Sequence, residues 1–131
     1  MQLYTYYRST SSYRVRIALA LKGLDYQALP VNLIAPPGGE HRQPAYLAIN
    51  PQGRVPALRT EEDELLIQSP AIIEYLDERY PQVPLLAKDL AARAHERAVA
   101  SIIGCDIHPL HNSSTQSLLR QWGHDEAQLL E

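Results

Sequence analysis

The chain has 131 residues, enough for one ordinary domain or for a small domain and part of a second. With 45% apolar and 21% charged residues and a net charge of -3, it reads as a globular protein with no general attraction for nucleic acid or an anionic membrane. Its single cysteine, Cys105, excludes an internal disulfide, a C-x-x-C redox pair and a cysteine zinc site built within the chain. The start reads as lacking a secretory leader, and no apolar segment approaches the length of a membrane span. The expectation is a cytoplasmic protein.

In chain order, Leu3 to Tyr6 has the short, β-forming pattern of a buried strand. Polar Arg8-Ser9-Thr10-Ser11-Ser12 follows, then Val15, Ile17, Ala18, Leu19 and Leu21 lead to Lys22-Gly23. This predicts a helix capped by Ser at its start and by Gly past its end. Tyr26 to Leu33 predicts a second strand, and Ile34 to Pro44, with three prolines and Gly38-Gly39, predicts a loop. A helical stretch around Tyr46 to Ile49 comes next. Val55 to Arg59 and Glu64 to Ile67, separated by Glu61-Glu62-Asp63, predict a hairpin. Ser69-Pro70 predicts a helix with Ser at the cap and a buried face of Ile72, Ile73, Leu76 and Tyr80.

The order is therefore βαβαββα over residues 1–82, with 83–87 a linker and 88–131 an incomplete all-helical domain. In the last part Asp89 predicts a helix cap, with Leu90, Ala94, Ala98 and Ile102 forming a stripe for close helix packing. Pro109 should break or bend that helix. A further helix is expected from Asn112 through Leu118 and Leu119 toward Leu129-Leu130. So few helices cannot close a core of their own, and the second domain reads as unfinished.

The Ser cluster has chemistry open to it. A helix start carries unpaired N–H groups and a partial positive charge, so it favours an anion. Ser9, Thr10, Ser11 and Ser12 add hydroxyl donors, and Arg8, Arg14 and Arg16 add positive charge. Lowering a thiol from its usual pKa of about 8.5 by two units requires roughly 2.7 kcal/mol of preference for the thiolate, within reach of a few charge-assisted hydrogen bonds. Ser caps are commonplace, however, and the cluster alone reads sooner as a plain helix cap with solvated arginines. Val55-Pro56 could turn the Val55 backbone outward if the bond were cis, although most such prolines are only edge features. Gln68-Ser69 marks another helix start able to hold a carboxylate, although on its own it reads sooner as a plain cap. Cys105 reads as a packed core thiol, Trp122 and the tyrosines as packing residues, and His95, His111 and His124 lack metal-ligand spacing.

The order of these motifs carries more than each alone. Ser9-Thr10-Ser11-Ser12-Tyr13-Arg14-Val15-Arg16-Ile17-Ala18-Leu19, then Asn50-Pro51-Gln52-Gly53-Arg54-Val55-Pro56-Ala57-Leu58, then Ile67-Gln68-Ser69-Pro70-Ala71-Ile72-Ile73-Glu74-Tyr75-Leu76 resembles zeta-class glutathione transferases. The class includes maleylacetoacetate and maleylpyruvate isomerases. Gly104 to Leu110 extends the resemblance into the second domain.

The resemblance implies a thioredoxin-like N-terminal domain followed by the beginning of the all-helical C-terminal domain. It implies glutathione as cofactor, held by Ser9, Thr10, Ser11, Ser12, Tyr13, Arg14, His41, Val55, Gln68 and Ser69, with His108, Asn112, Ser113 and Ser114 from the second domain. Ser9 would hold the sulfur, Val55 would pair with the cysteinyl backbone next to a cis Val55–Pro56 bond, and Gln68 and Ser69 would grip the γ-glutamyl end. Ser9, Ser11, Arg8 and Arg14 would be catalytic, and no metal is implied.

The implied reaction is cis–trans isomerisation of a maleyl keto acid in aromatic-compound catabolism, by a homodimer. Two alternatives stand beside it: conjugation or dehalogenation of small α-halo acids, and a glutathione-binding or dimerising module without turnover. The sequence departs from the family pattern in three places. Ser9-Thr10-Ser11 stands where Ser-Ser-Cys is common, Tyr13 where Trp or His is usual, and Ser114 where bacterial members often carry Arg. The family's later helices, which line part of the substrate pocket, are expected to be missing from this chain.

Overall fold

A computed structural model describes residues 1–125 and residue 127. The chain divides into two compact units, the first Met1–Leu85 and the second beginning at Leu86.

The first unit is built around a four-stranded mixed sheet in the order β2-β1-β3-β4. Strand β1 (Gln2–Thr5) runs parallel to β2 (Gln27–Pro30) and antiparallel to β3 (Ala57–Arg59), which pairs antiparallel with β4 (Leu65–Ile67). Helix α1 (Thr10–Lys22) makes the crossover between the parallel strands, α2 (Pro44–Leu47) precedes β3, and α3 (Ser69–Arg79) follows β4. The βαβαββα order expected of a thioredoxin-like domain is the one observed. Strand β2 is shorter than predicted, because Val31 leaves the strand after its N–H donates to Thr5 O at 2.8 Å.

Side chains on β1 alternate between two cores. Leu3 and its cross-strand partner Leu58 pack with Val15, Ala18, Leu19, Ile72 and Leu76 under α1 and α3. Tyr4 turns to the other face, beside Val31, Val55 and Tyr46 of α2. On α1 the buried residues are Ser12, Val15, Ala18, Leu19 and Lys22, an i, i+3, i+4, i+7 set, whereas Ile17 and Leu21 fall off that stripe and are exposed. Gly23 ends the helix at φ 65°, donating its N–H to Ala20 O while Leu24 reaches Leu19 O. This left-handed cap costs little only for glycine.

Two predicted details are corrected. Ser69 is the first residue of α3 rather than its cap. The cap position is Gln68, at φ 71°, and no side-chain hydrogen bond closes that helix start. The second correction concerns Cys105, which is exposed rather than packed.

The second unit contains α4 (Leu90–Ser101), a π-helical segment at Ile102–Ile107, α5 (His108–Leu110) and α6 (Ser113–Gln121). Asp89 caps α4 by accepting from Ala92 N–H at 2.9 Å, and Asn112 caps α6 by accepting from Ser114 N–H at 3.1 Å. No described residue of this unit is buried. Leu90, Ile102 and Trp122, expected to pack, are 80%, 50% and 69% exposed. The physical reason is the one that exposes Cys105: the helices have an apolar stripe but no layer within the unit to cover it. The Leu129-Leu130 part of the expected last helix lies outside the described residues.

Candidate functional site

Sheet register brings the motifs to one place. Thr5 at the end of β1 lies opposite Pro30, the last residue of β2, and Tyr4 lies opposite Ala57, the first residue of β3. Ala57 in turn pairs with Ile67, the last residue of β4. The turn into α1, the loop after β2, the Val55–Pro56 bond and Gln68-Ser69 therefore all emerge at the same end of the sheet. They are far apart in sequence and neighbours in the fold.

At the start of α1, Ser9 is the cap. Its Oγ accepts the Ser12 N–H at 3.2 Å, which leaves the hydroxyl hydrogen for another acceptor. Arg8, Ser9, Thr10 and Tyr13 line a cleft of about 240 Å³ with Tyr7 and Arg16. Arg16 does not serve as an open cation. It straps the β1–α1 turn by donating to Thr5 Oγ1, Tyr6 O and Tyr7 O at 3.0–3.1 Å, and it lies 5.2 Å from the centre of the Tyr13 ring. Ser12 is fully buried, its Oγ has no partner among the described residues, and its N–H is taken by the cap, so it supports the helix start from inside.

Arg14 reaches across to the other helix start. Its Nη1 donates to the Oγ of buried Ser69 at 3.4 Å, joining the first turns of α1 and α3. Beside it, Gln68 holds a left-handed φ of 71°, a conformation that costs a non-glycine residue about 1–3 kcal/mol. Its Nε2 donates to Gln52 Oε1 at 2.8 Å.

The Val55–Pro56 bond is cis, as the resemblance implies. The β1–β3 pairing begins only at Ala57, so the Val55 backbone lies outside the ladder. Its preceding peptide is fixed by groups that sequence reasoning did not single out. Arg54 O accepts both Tyr46 Oη and Asn50 Nδ2 at 2.7 Å, and Asn50 Oδ1 takes the Gln52 N–H at 3.1 Å. Asn50 is only 1% exposed, and burial pushes the Tyr46 phenol up to about 12, so both stay neutral donors. The visible signal was an Asn directly before a Pro-Gln-Gly turn, with a Tyr four residues earlier. Gly53 bends at φ 58°, and a Cβ there would lie 3.1 Å from His41 O.

His41 itself stands in a 3-10 turn, Glu40–Arg42, with a buried Nδ1 that finds no partner among the described residues. Burial first, and the Arg42 charge second, hold its pKa below the ordinary imidazole value, so it is neutral at pH 7. His108 and Asn112, Ser113 and Ser114 belong to the second unit, where Asn112 and Ser114 are engaged in the α6 cap. The site assembled here comes from the first unit alone.

Comparison with known proteins places this geometry. The family model for the glutathione S-transferase N-terminal domain matches residues 3–84. A maleylacetoacetate isomerase of Pseudomonas aeruginosa is 78% identical over 98% of this chain, which covers 60% of that relative. A solved holo maleylpyruvate isomerase, described as a bacterial glutathione S-transferase of zeta class, superposes with a TM-score of 0.91 at 48% identity, over 98% of this chain and 59% of that one. A maleylacetoacetate isomerase from Methylobacterium extorquens AM1, solved with malonate and glutathione, gives 0.91 at 40% identity, over 99% of this chain and 60% of that one. The chain thus spans about 60% of the length of such relatives. Because the family model spans nearly all of the unit in which both helix starts meet at one sheet end, this chain belongs to the glutathione S-transferase family, in its zeta class.

Proposed function

We propose that this chain holds glutathione and takes part in the glutathione-dependent cis–trans isomerisation of a maleyl keto acid, as maleylpyruvate or maleylacetoacetate. The observation that carries the reading is the Arg14–Ser69 contact, which joins the Ser9 helix start to the Gln68-Ser69 helix start beside an unladdered Val55 backbone.

The donor set fits the tripeptide. Ser9 has a hydroxyl hydrogen to give, the Val55 N–H and C=O suit the backbone of an extended cysteinyl residue, and the start of α3 suits a carboxylate. When bound, glutathione supplies a thiolate able to add reversibly to the conjugated double bond. Ser9 steadies that sulfur by donating its hydrogen, and the positive end of α1 favours the anion. Arg8, at the cleft, holds a substrate carboxylate or the developing oxyanion, and Arg14 keeps the two helix starts in register. Ser11, one residue into the helix, adds a second hydroxyl to this end.

A cytoplasmic location and a homodimer belong to the same proposal. The decisive experiment follows maleylpyruvate and maleylacetoacetate with and without glutathione, using wild type and Ser9→Ala. Isomerisation that ignores both changes would overturn the reading. A second reading, glutathione binding without turnover, is favoured by the absence of any buried described residue beyond Leu85. Glutathione binding with no isomerisation of either acid would select it.

A further inference from the structure

Gln68 Nε2 donates to Gln52 Oε1 at 2.8 Å, which turns the Gln68 carbonyl oxygen away from Gln52. An amide whose nitrogen is committed to an acceptor must present its carbonyl oxygen elsewhere. Gln52 is itself held: its N–H is tied to Asn50 Oδ1, and Asn50 is buried and bonded to Arg54 O. A chain of hydrogen bonds thus runs from the Arg54–Val55 peptide through Asn50 and Gln52 to the Gln68 amide. Gln68 is also fixed in backbone, by its left-handed φ at the start of α3. Next to it, the Ser69 oxygen accepts from Arg14, so its hydroxyl hydrogen is free to donate. The two neighbouring groups are therefore of opposite kind: a carbonyl acceptor at 68 and a hydroxyl donor at 69.

We infer that Gln52 is a positioning and specificity-determining residue: by accepting from Gln68 Nε2, it turns the Gln68 carbonyl toward the ligand and selects for a cationic amine beside a carboxylate. This deepens the glutathione reading and rests on it. The amine selected is the γ-glutamyl ammonium, with Ser69 serving the adjacent carboxylate.

The test compares binding of glutathione with that of its glutaryl analogue, which lacks the amine but keeps both carboxylates and the thiol, by isothermal titration. Wild type should prefer glutathione by about tenfold or more, the value of one hydrogen bond to a charged group. Gln52→Ala should lose most of that preference, with its thermal melt unchanged because the backbone bond to Asn50 survives. Gln52→Glu, which can only accept, should restore the preference. Gln52→Lys, which can only donate, should not. Undiminished preference in Gln52→Ala, or rescue by Lys instead of Glu, would overturn the inference. Failure of wild type to bind glutathione at all would instead overturn the functional reading beneath it.

Discussion

Arg14 Nη1 donates to Ser69 Oγ across 3.4 Å, a side-chain bond that joins the start of α1 to the start of α3. A guanidinium beside a buried hydroxyl makes that hydroxyl a better donor to an anion. Arg14→Ala and Ser69→Ala should each weaken glutathione by about tenfold, as befits loss of a charge-assisted bond. Their double variant should lose much less than the product of the two, since each removes the same contact. Titration of all four proteins checks this, and strictly multiplicative losses would show that the residues act apart.

Ser9 has two roles that substitution can separate. Ser9→Ala removes the cap and should cost about 1 kcal/mol of stability. Ser9→Asp keeps a strong cap but sets a carboxylate where the sulfur is to sit. The expected pattern is lowered stability in Ala alone, with the pKa of bound glutathione raised in both, most in Asp. Ultraviolet difference absorbance of the thiolate against pH reads the second quantity. An unchanged thiol pKa in Asp would place the sulfur elsewhere.

Lys22 and Asp77 form a buried pair at 2.7 Å, with side chains 1% and 7% exposed. The other two hydrogens of the ammonium go to Tyr80 O and Val83 O at 2.9 and 2.8 Å, and Asp77 Oδ1 also takes the Leu85 N–H. Lys22→Met strands a buried carboxylate and should cost about 3–5 kcal/mol, whereas pairing it with Asp77→Leu should recover a large part. Denaturant unfolding of the three proteins decides it. A single variant as stable as wild type would contradict the geometry.

The depressed pKa of His41 sets a sign for the pH dependence. In the unfolded chain the imidazole takes up a proton below about pH 6.5, while the folded protein resists it to a lower pH. The unfolded state then binds more protons, so stability falls as pH drops from about 6.5 toward the folded value, and above that window this group contributes no slope. His41→Gln should flatten the melting temperature through that range, measured without glutathione. Parallel profiles for the two proteins would exclude His41 as the source.

Much of this was readable in the sequence, for reasons that differ by element. Alternation and helical spacing are local, so the strand and helix order emerged from Leu3 to Tyr80 with small changes of boundary. The Ser9 cap was readable because a Ser before a helix acts within one turn. The Gln68 cap was not, because a left-handed backbone at a glutamine runs against that residue's own preference and leaves no local signal. The apolar run that marks α1 includes Ile17 and Leu21, but only the i, i+3, i+4 stripe through Val15 and Leu19 is buried. The Asn50 and Tyr46 bonds to Arg54, and the Lys22–Asp77 pair, are tertiary and leave no periodic trace. Cys105 was misjudged because an apolar neighbourhood in sequence does not supply a covering layer in space.

The contacts between α1 and α3 are divided by function along their length. Arg14 and Ser69 meet at the starts of the helices, and Lys22 and Asp77 at their ends, with Val15, Leu19, Ile72 and Leu76 sealed between. The buried ion pair lies at the pole remote from the proposed glutathione site. Exposed positions of the Ser9–Arg14 pole, such as Thr10 and Tyr13, can therefore vary without touching the ion pair and the core that hold the two helices together.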